Sequence, residues 1–478
     1  MSSILGILVS LGLLIALAYR GVSVLLLAPL MALVPTLFSA DAPLMASYTQ
    51  VFMPALGGFV VAFFPLFLLG AVFGKLMEAS GSASAIAQGI VGVLGTQRAL
   101  VAIVAACAVL TYGGVSLFVV AFAVYPIAAA LFRQANLPRR LMPATIALGA
   151  FTFTMTALPG TPAIQNAIPM PFFGTTPFAA PGLGLIAGAV MAGLGSWWLL
   201  ARAASAKARG EGYDAGDADD TPATNMRPTE HDAPGALPAA TGLGTPPFAR
   251  AMAPIVLVIV LNYALSTWLF PAMDTHYLAQ DKFGSTNIQA VRGLWAVSVA
   301  LFAAILLLVA LERPRLPRFK DTLGDGASAA VLPLMNTASQ VGYGAVIASL
   351  AGFALIRDTV LGIAPGNPLI SLSIAVNVLA GITGSASGGM SIALQTLGAT
   401  WLAMGNAAGI SPDLLHRVTA IATGGLDALP HNGAVITLLS ICKLSHRQSY
   451  LDIFVVAVAI PLLALAAVVA LGTALGSF

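Results

Sequence analysis

Apolar residues run in long blocks along this chain, and polar residues collect in the short gaps between the blocks. A helix needs about 20 residues to cross a hydrocarbon core of about 30 Å, so blocks of that order predict membrane crossings. The first half predicts helices over Ile4 to Tyr19, Val22 to Phe38 and Pro54 to Lys75, then a Gly-, Ala- and Ser-rich segment from Glu78 to Gln97 lying along the interface. The run from Arg98 to Phe132 is too long for one crossing and is interrupted at Tyr112-Gly113-Gly114-Val115-Ser116. Pro138 to Ile168 is interrupted at Ala157-Leu158-Pro159-Gly160-Thr161-Pro162-Ala163, and Pro181 to Ala201 closes the half.

The second half repeats this order. Apolar runs cover Ile255 to Phe270, Leu294 to Leu311 and about Ala327 to Leu355. Pro368 to Met404 is interrupted at Gly384-Ser385-Ala386-Ser387-Gly388-Gly389, Leu414 to Ile441 at Ala428-Leu429-Pro430-His431-Asn432-Gly433-Ala434, and Ile453 to Leu475 ends the chain. Subtracting 271 maps Ala428-Leu429-Pro430 onto Ala157-Leu158-Pro159, Gly384 onto Gly113 and Ser387 onto Ser116. Matched breaks in two halves point to a transporter's binding site. Between the halves, Arg202 to about Pro247 holds Gly, Ala, Pro, Thr and acids with few large apolar residues, which predicts a disordered linker in which His231 is solvated.

The expected fold is therefore an all-α polytopic membrane protein of two inverted repeats, residues 1–201 and 248–478, joined by the linker 202–247. Each repeat has about five transmembrane helices, one re-entrant hairpin (98–132 and 368–404) and one broken helix (138–168 and 412–441). Composition agrees: the 478 residues are 58% hydrophobic and 8% charged, with mean hydropathy +0.93, where soluble domains carry about a quarter charged residues. A net charge of +3 spread over short loops leaves no nucleic-acid footprint and instead sets orientation. With Arg20 inside, all of the 21 basic residues fall inside except Lys282, Arg292, Arg357 and Arg417, so both termini are expected outside, periplasmic, and the linker cytoplasmic. The chain lacks a cleavable leader pattern at its start, and Cys107 and Cys442 read as buried small side chains with no disulfide or metal pattern, so neither metal nor cofactor is expected.

Polar chemistry concentrates at the interruptions. Helix ends stopping inside the membrane expose unpaired N–H groups and a positive dipole end, which suits a carboxylate. Gly114, Ser116, Thr161, Ser385, Ser387, Gly388, His431, Asn432 and Thr437 are the candidate substrate-binding residues. Gly388 serves equally well as a small residue that lets helices approach. Asp427 and His431 flank the second break, and a carboxylate there is costly unless protonated or paired, so the two are candidates for proton coupling. Two alternatives stay open: Asp427 caps a half-helix, or Na⁺ is held by carbonyls, Ser and Asn. Arg417 reads as an attractor of anions or as a cation snorkelling to the outer interface, and Trp197, Trp198, Trp268 and Trp295 as interfacial anchors.

Gly424-Gly425-Leu426-Asp427-Ala428-Leu429-Pro430-His431-Asn432-Gly433-Ala434-Val435-Ile436-Thr437-Leu438-Leu439 closely resembles a segment of the gluconate permease (GntP) family, within the ion transporter superfamily that includes divalent anion:sodium symporters. The similarity extends over most of the chain, including Gly384 to Gly389. It implies an inner-membrane carrier of gluconate or related hydroxy acids, 3-hydroxybutyrate among them, coupled to protons and built as a homodimer with a scaffold domain and a moving transport domain. The long acidic linker departs from the compact gluconate carriers.

The residues and the resemblance lead to one expectation: a secondary transporter, not an enzyme, that moves a small hydroxy-monocarboxylate with H⁺ by alternating access of elevator type. The partners are the organic anion, H⁺ or Na⁺ and the lipid bilayer, with no nucleic acid. Other classes are an intramembrane serine hydrolase, with Ser387 or Ser385 as nucleophile and His431 as base, and a passive anion channel. The duplicated interruptions argue against both.

Overall fold

Every regular element in the computed structural model is a helix among the residues it describes, 2–20, 22–39, 41–213 and 244–478. The first half runs α1 (Ser2–Tyr19), α2 (Val24–Leu33), α3 (Leu44–Ala79), α4 (Ser82–Leu94), α5 (Ala99–Tyr112), α6 (Leu117–Gln134), α7 (Met142–Ala150) and α8 (Pro181–Ala208). The second runs α9 (Phe248–Ala272), α10 (Ile288–Glu312), α11 (Phe319–Ser349), α12 (Phe353–Leu361), α13 (Pro368–Thr383), α14 (Ala386–Ala407), α15 (Pro412–Ala422), α16 (Gly433–Cys442) and α17 (His446–Leu475). The all-α polytopic reading holds. Six described helices are long and apolar enough to cross a membrane, and α11 with α12, bent by 98° at the break after Ser349, is a further broken span or a re-entrant loop.

The offset of 271 carries from residues to whole elements: α5 falls on α13, α6 on α14, α7 on α15 and α8 on α17. Equivalent helices pack on each other in opposite directions. A side chain at Gly326 of α11 would meet the Val72 backbone of α3, whereas one at Gly342 would meet Phe52. Likewise the start of α8 abuts the C-terminus, with Gly182 N–H donating to the Phe478 carbonyl, while its far end, at Arg202, pairs with Asp452 at the start of α17. Antiparallel contact between equivalents is what inversion of one repeat on the other produces. Glycine at the α3–α11 crossing lets the two backbones approach, the usual means of helix association where lipid is as apolar as the side chains.

The interrupted runs at 98–132 and 368–404 are helical hairpins. Their first arms, α5 with 14 residues and α13 with 16, reach about 21 and 24 Å at about 1.5 Å per residue, short of a full crossing. Gly114 (φ 91°) and Gly384 (φ 59°) make the turns in the left-handed region, where a side chain would be strained. The broken span 412–441 is also as expected, α15 and α16 flanking a one-turn helix at Leu426–Ala428.

The first broken span, 138–168, likewise has a helix on each side of its break, α7 before it and residues 164–173 after it. After α7 come the turn Phe153–Thr156 and then Ile164–Ala167 and Pro169–Phe173, which Ile168, itself helical (φ −59°, ψ −40°), joins into one stretch; Pro169 lacks the N–H for one rung of its ladder and Gly174 (φ 65°) ends it. The linker boundary moves: α8 continues through Ala208, past the expected end of the repeat at Ala201. Residues 214–243, with His231 and most of the expected linker, lie outside the described residues. The chain leaving α8 is held by Arg140, which donates from Nε to Glu211 Oε1 (2.5 Å) and from Nη1 to Asp452 Oδ2 (3.1 Å). Trp198, expected as an interfacial anchor, instead donates from Nε1 to the same Asp452 (3.0 Å).

Candidate functional site

In the second repeat two helices start at almost the same point. Ser385 is extended (φ −150°, ψ 117°), which stops α13 and lets its hydroxyl accept the Gly388 N–H at 3.1 Å as the cap of α14. Asn432 caps α16, with Oδ1 accepting from the Ala434 N–H (2.6 Å) and the Val435 N–H (3.2 Å). Its Nδ2 donates to the Gly384 carbonyl at 2.8 Å, fastening the second break to the hairpin tip. His431 donates from Nε2 to the Gly381 carbonyl (3.0 Å) and is the polar residue of an apolar cleft of about 270 Å³ bounded by Ile15, Val378, Ile382, Leu426 and Leu429. On the opposite side of the tip, Ser387 Oγ lies 3.1 Å from Thr337 Oγ1 of α11 and 3.4 Å from Ser385 Oγ. The N-terminal ends of α14 and α16 thus share one polar junction, with N–H groups and dipole ends suited to an anion.

The first repeat is built differently. Tyr112 donates to the Pro159 carbonyl at 2.6 Å, and Gly114 sits so close to Pro162 that an added Cβ would lie 2.8 Å from its ring. Thr161 is buried, its hydroxyl accepting the Ala163 N–H (3.3 Å) and its carbonyl the Asn166 Nδ2–H (3.0 Å). Ser116 begins α6 with no capping bond from its side chain. The helical stretch that follows the break covers residues 164–173, with Ile168 helical (φ −59°, ψ −40°) between Ile164–Ala167 and Pro169–Phe173, but Ala163 at its start gives no side-chain cap like that of Asn432 on α16.

Arg417 and His416 fill this side. The sequence places Arg417 near the outer interface, but the structure buries it completely. Its guanidinium donates to the Ala179 carbonyl from Nε (2.9 Å) and Nη2 (2.8 Å), to the Pro177 carbonyl (3.2 Å) and to Asn166 Oδ1 (3.1 Å). Asn166 Nδ2 is occupied by the Thr161 and Pro177 carbonyls, so its Oδ1 faces His416 Nε2 at 3.2 Å, and that nitrogen carries the proton. His416 Nδ1 then accepts from Thr175 Oγ1 at 2.6 Å. These donors are committed to the loop ahead of α8, which makes Arg417 a clamp on that loop and not an attractor or a snorkelling side chain.

The structure brings Ser385, Ser387, Gly388, His431 and Asn432 together at the second junction, and Gly114 and Thr161 together at the first. The hydrogen bonds at the second junction stay within its own repeat, whereas at the first the Gly160 carbonyl accepts from Asn262 Nδ2 of α9 (3.2 Å). The segments after the breaks cross over as well: α16 packs on α6, and Ile164–Ala167 with Pro169–Phe173 packs on α14. Thr437 lies half-buried on α16, a turn past the junction. Asp427 stands in the one-turn helix Leu426–Ala428 before the break.

Sequence reasoning missed Asn336, Thr337 and Gln340 of α11. A side chain at Gly388 would strike the Gln340 amide, and one at Gly344 would meet Ile392, so α11 and α14 run side by side in the same direction past the junction. The signal was legible: Asn336-Thr337-Ala338-Ser339-Gln340 is a polar cluster inside the apolar run from Ala327 to Leu355.

Comparison with known proteins places this geometry. No protein-family model matches the chain. A Bacillus subtilis (strain 168) protein described as the uncharacterized transporter YxjC is 43% identical over 457 residues, covering 94% of each chain. The fold is shared with the solved transporter YdaH of Alcanivorax borkumensis, at a TM-score of 0.54 and 14% identity over 94% of this chain and 97% of that one. It is shared as well with MtrF of Neisseria gonorrhoeae, described as illuminating a class of antimetabolite efflux pumps, at a TM-score of 0.54 and 12% identity over 94% of each chain.

Proposed function

Because the chain belongs to the same family as the transporter YxjC, we propose that it is a secondary active transporter that takes up a small hydroxy-monocarboxylate, a gluconate-type sugar acid or a short acid such as 3-hydroxybutyrate, together with protons. Membership in a transporter family sets aside the serine-hydrolase alternative. The observation that carries the reading is the Asn432–Gly384 bond, which puts the starts of α14 and α16 at one point inside the membrane. Their dipole ends, with the first-turn N–H groups that the Ser385 and Asn432 caps do not take, favour a carboxylate, and Ser385, Ser387 and Asn432 surround it with hydrogen-bonding side chains. The first junction, with Gly114, Ser116 and Thr161, is the symmetry-related face over which the substrate passes as the hairpins move.

Asp427 with His431 is the proposed proton carrier: the carboxylate stands next to the break, and no basic side chain forms an ion pair with it among the described residues. Inversion and paired hairpins support alternating access of elevator type, and the similarity to gluconate permeases supports a homodimer in the inner membrane. The bias of basic residues supports termini on the outer side and the linker in the cytoplasm. The test is uptake of labelled gluconate and of labelled 3-hydroxybutyrate into proteoliposomes, with an imposed pH gradient and, separately, a Na⁺ gradient. Accumulation driven by pH alone is the expected result; a requirement for Na⁺ moves coupling to the hydroxyl and carbonyl groups at the tips, and no uptake of either acid defeats the reading.

A further inference from the structure

Two amide oxygens on α11, Asn336 Oδ1 and Gln340 Oε1, are buried without a hydrogen-bond partner, and the Gln340 residue is only 2% exposed. An orphaned polar group of this kind destabilises the fold. Packing does not require them. The equivalent positions on α3, found by the same offset of 271, are Pro65 and Leu69, so the fold builds the matching helix with apolar side chains there. The two residues are one turn apart and share a helix face, with Thr337, which bonds Ser387, beside them. Gln340 lies directly over the first turn of α14: a Cβ at Gly388 would overlap its Oε1, so this amide is packed against the backbone of that turn.

We propose that Asn336 and Gln340 form a subsite that accepts hydrogen bonds from the hydroxyl of the carried acid, while its carboxylate sits on the starts of α14 and α16; this rests on the carboxylate reading above. Amide oxygens accept and do not donate, so a carboxylate cannot satisfy them and a hydroxyl can. An ammonium group would find its only nearby acid among the described residues in Asp427, which the reading above assigns to the proton. Neither α13 nor α14 carries an acidic residue, and the nearest on α11, Asp325, is about 16 Å along the helix. With Gly388 against Gln340 the subsite is closed, and it fills when α14 withdraws from α11 and returns on the ligand. A site with buried acceptors of this kind rejects an analogue that lacks the hydroxyl, because binding it leaves the acceptors unpaired.

The test is binding of 3-hydroxybutyrate, butyrate and 3-aminobutyrate to the purified full chain, followed by ligand-induced thermal stabilisation, for wild type, Gln340→Leu and Asn336→Leu. Wild type is expected to prefer 3-hydroxybutyrate over butyrate by about tenfold or more, the loss of one good hydrogen bond. Gln340→Leu, close in size, is expected to bring the ratio to about one by weakening the hydroxy acid alone, with butyrate binding as the internal control for folding. Asn336→Leu gives the same comparison should Gln340→Leu not fold. An unchanged ratio in the variants overturns the subsite, as does tighter binding of 3-aminobutyrate than of 3-hydroxybutyrate. If wild type binds none of these acids and no gluconate, the carboxylate reading falls and takes the subsite with it, an outcome recognisable because no ratio is then measurable.

Discussion

Asn432 joins two elements through one side chain, capping α16 with Oδ1 and holding the Gly384 carbonyl with Nδ2 at 2.8 Å. The two roles separate by substitution. Asn432→Asp keeps an N-cap oxygen, preferred at this position, but loses the donor to Gly384 and adds negative charge where a carboxylate binds. It is expected to lose the stability of the Gly384 bond together with substrate-induced stabilisation, whereas Asn432→Ala loses the cap too, about 1 kcal/mol more. Thermal unfolding with and without 3-hydroxybutyrate distinguishes the two; equal binding by Asn432→Asp and wild type removes Asn432 from the site.

Gly389 sits where the two arms of the second hairpin touch. An added Cβ would lie 2.2 Å from the Ala380 backbone nitrogen and 2.4 Å from its Cα, atoms that cannot rotate away. Gly389→Ala should therefore force α13 and α14 apart, lower the melting temperature by several degrees and abolish uptake. Gly433, at the first position of α16, has open space around its Cβ direction, so Gly433→Ala should match or slightly exceed wild type in thermal stability. Similar melting temperatures for the two variants would contradict the packing described.

Asp427→Asn keeps the shape of the one-turn helix and removes the ionisable group. Concentrative uptake driven by a pH gradient should fall to background, while exchange of labelled for unlabelled substrate persists at a measurable rate. A variant that still concentrates substrate against its gradient would end the proton role of Asp427.

The Arg140 guanidinium, hydrogen-bonded to Glu211 beyond the end of α8, holds that carboxyl below the usual glutamate range. A depressed folded value means the bond contributes fully above the unfolded value of about 4.3 and is lost as pH falls through the folded value. Glu211→Gln should therefore lower the melting temperature by a constant amount between pH 7 and pH 5, with the difference from wild type shrinking only below about pH 4. A difference that vanishes already near pH 6 would assign the effect to another group.

The crossing helices, the hairpins and the duplication were legible because each is written in local composition. A 14-residue arm ending in Gly113-Gly114 declares its length and its turn, and Pro430 declares a break wherever it is placed. Ser385, Ser387 and Asn432 were legible for the same reason, since polar residues at an apolar interruption have few structural uses. The first broken span was legible as a break between two helical parts, but nothing local announced that Arg417 and His416 from the other repeat would bond Asn166 just after it.

By itself, then, the sequence determined that this is a two-repeat membrane protein whose polar chemistry lies at four interruptions, because hydrocarbon enforces long apolar helices and penalises every break that is not used. Only the tertiary structure decided which interruptions meet, that Arg417 is a clamp, and that Asn336 and Gln340 lean on the second hairpin. These facts depend on contacts between residues about 50 to about 250 positions apart in the chain, which one side of a helix presents and a one-dimensional pattern does not encode.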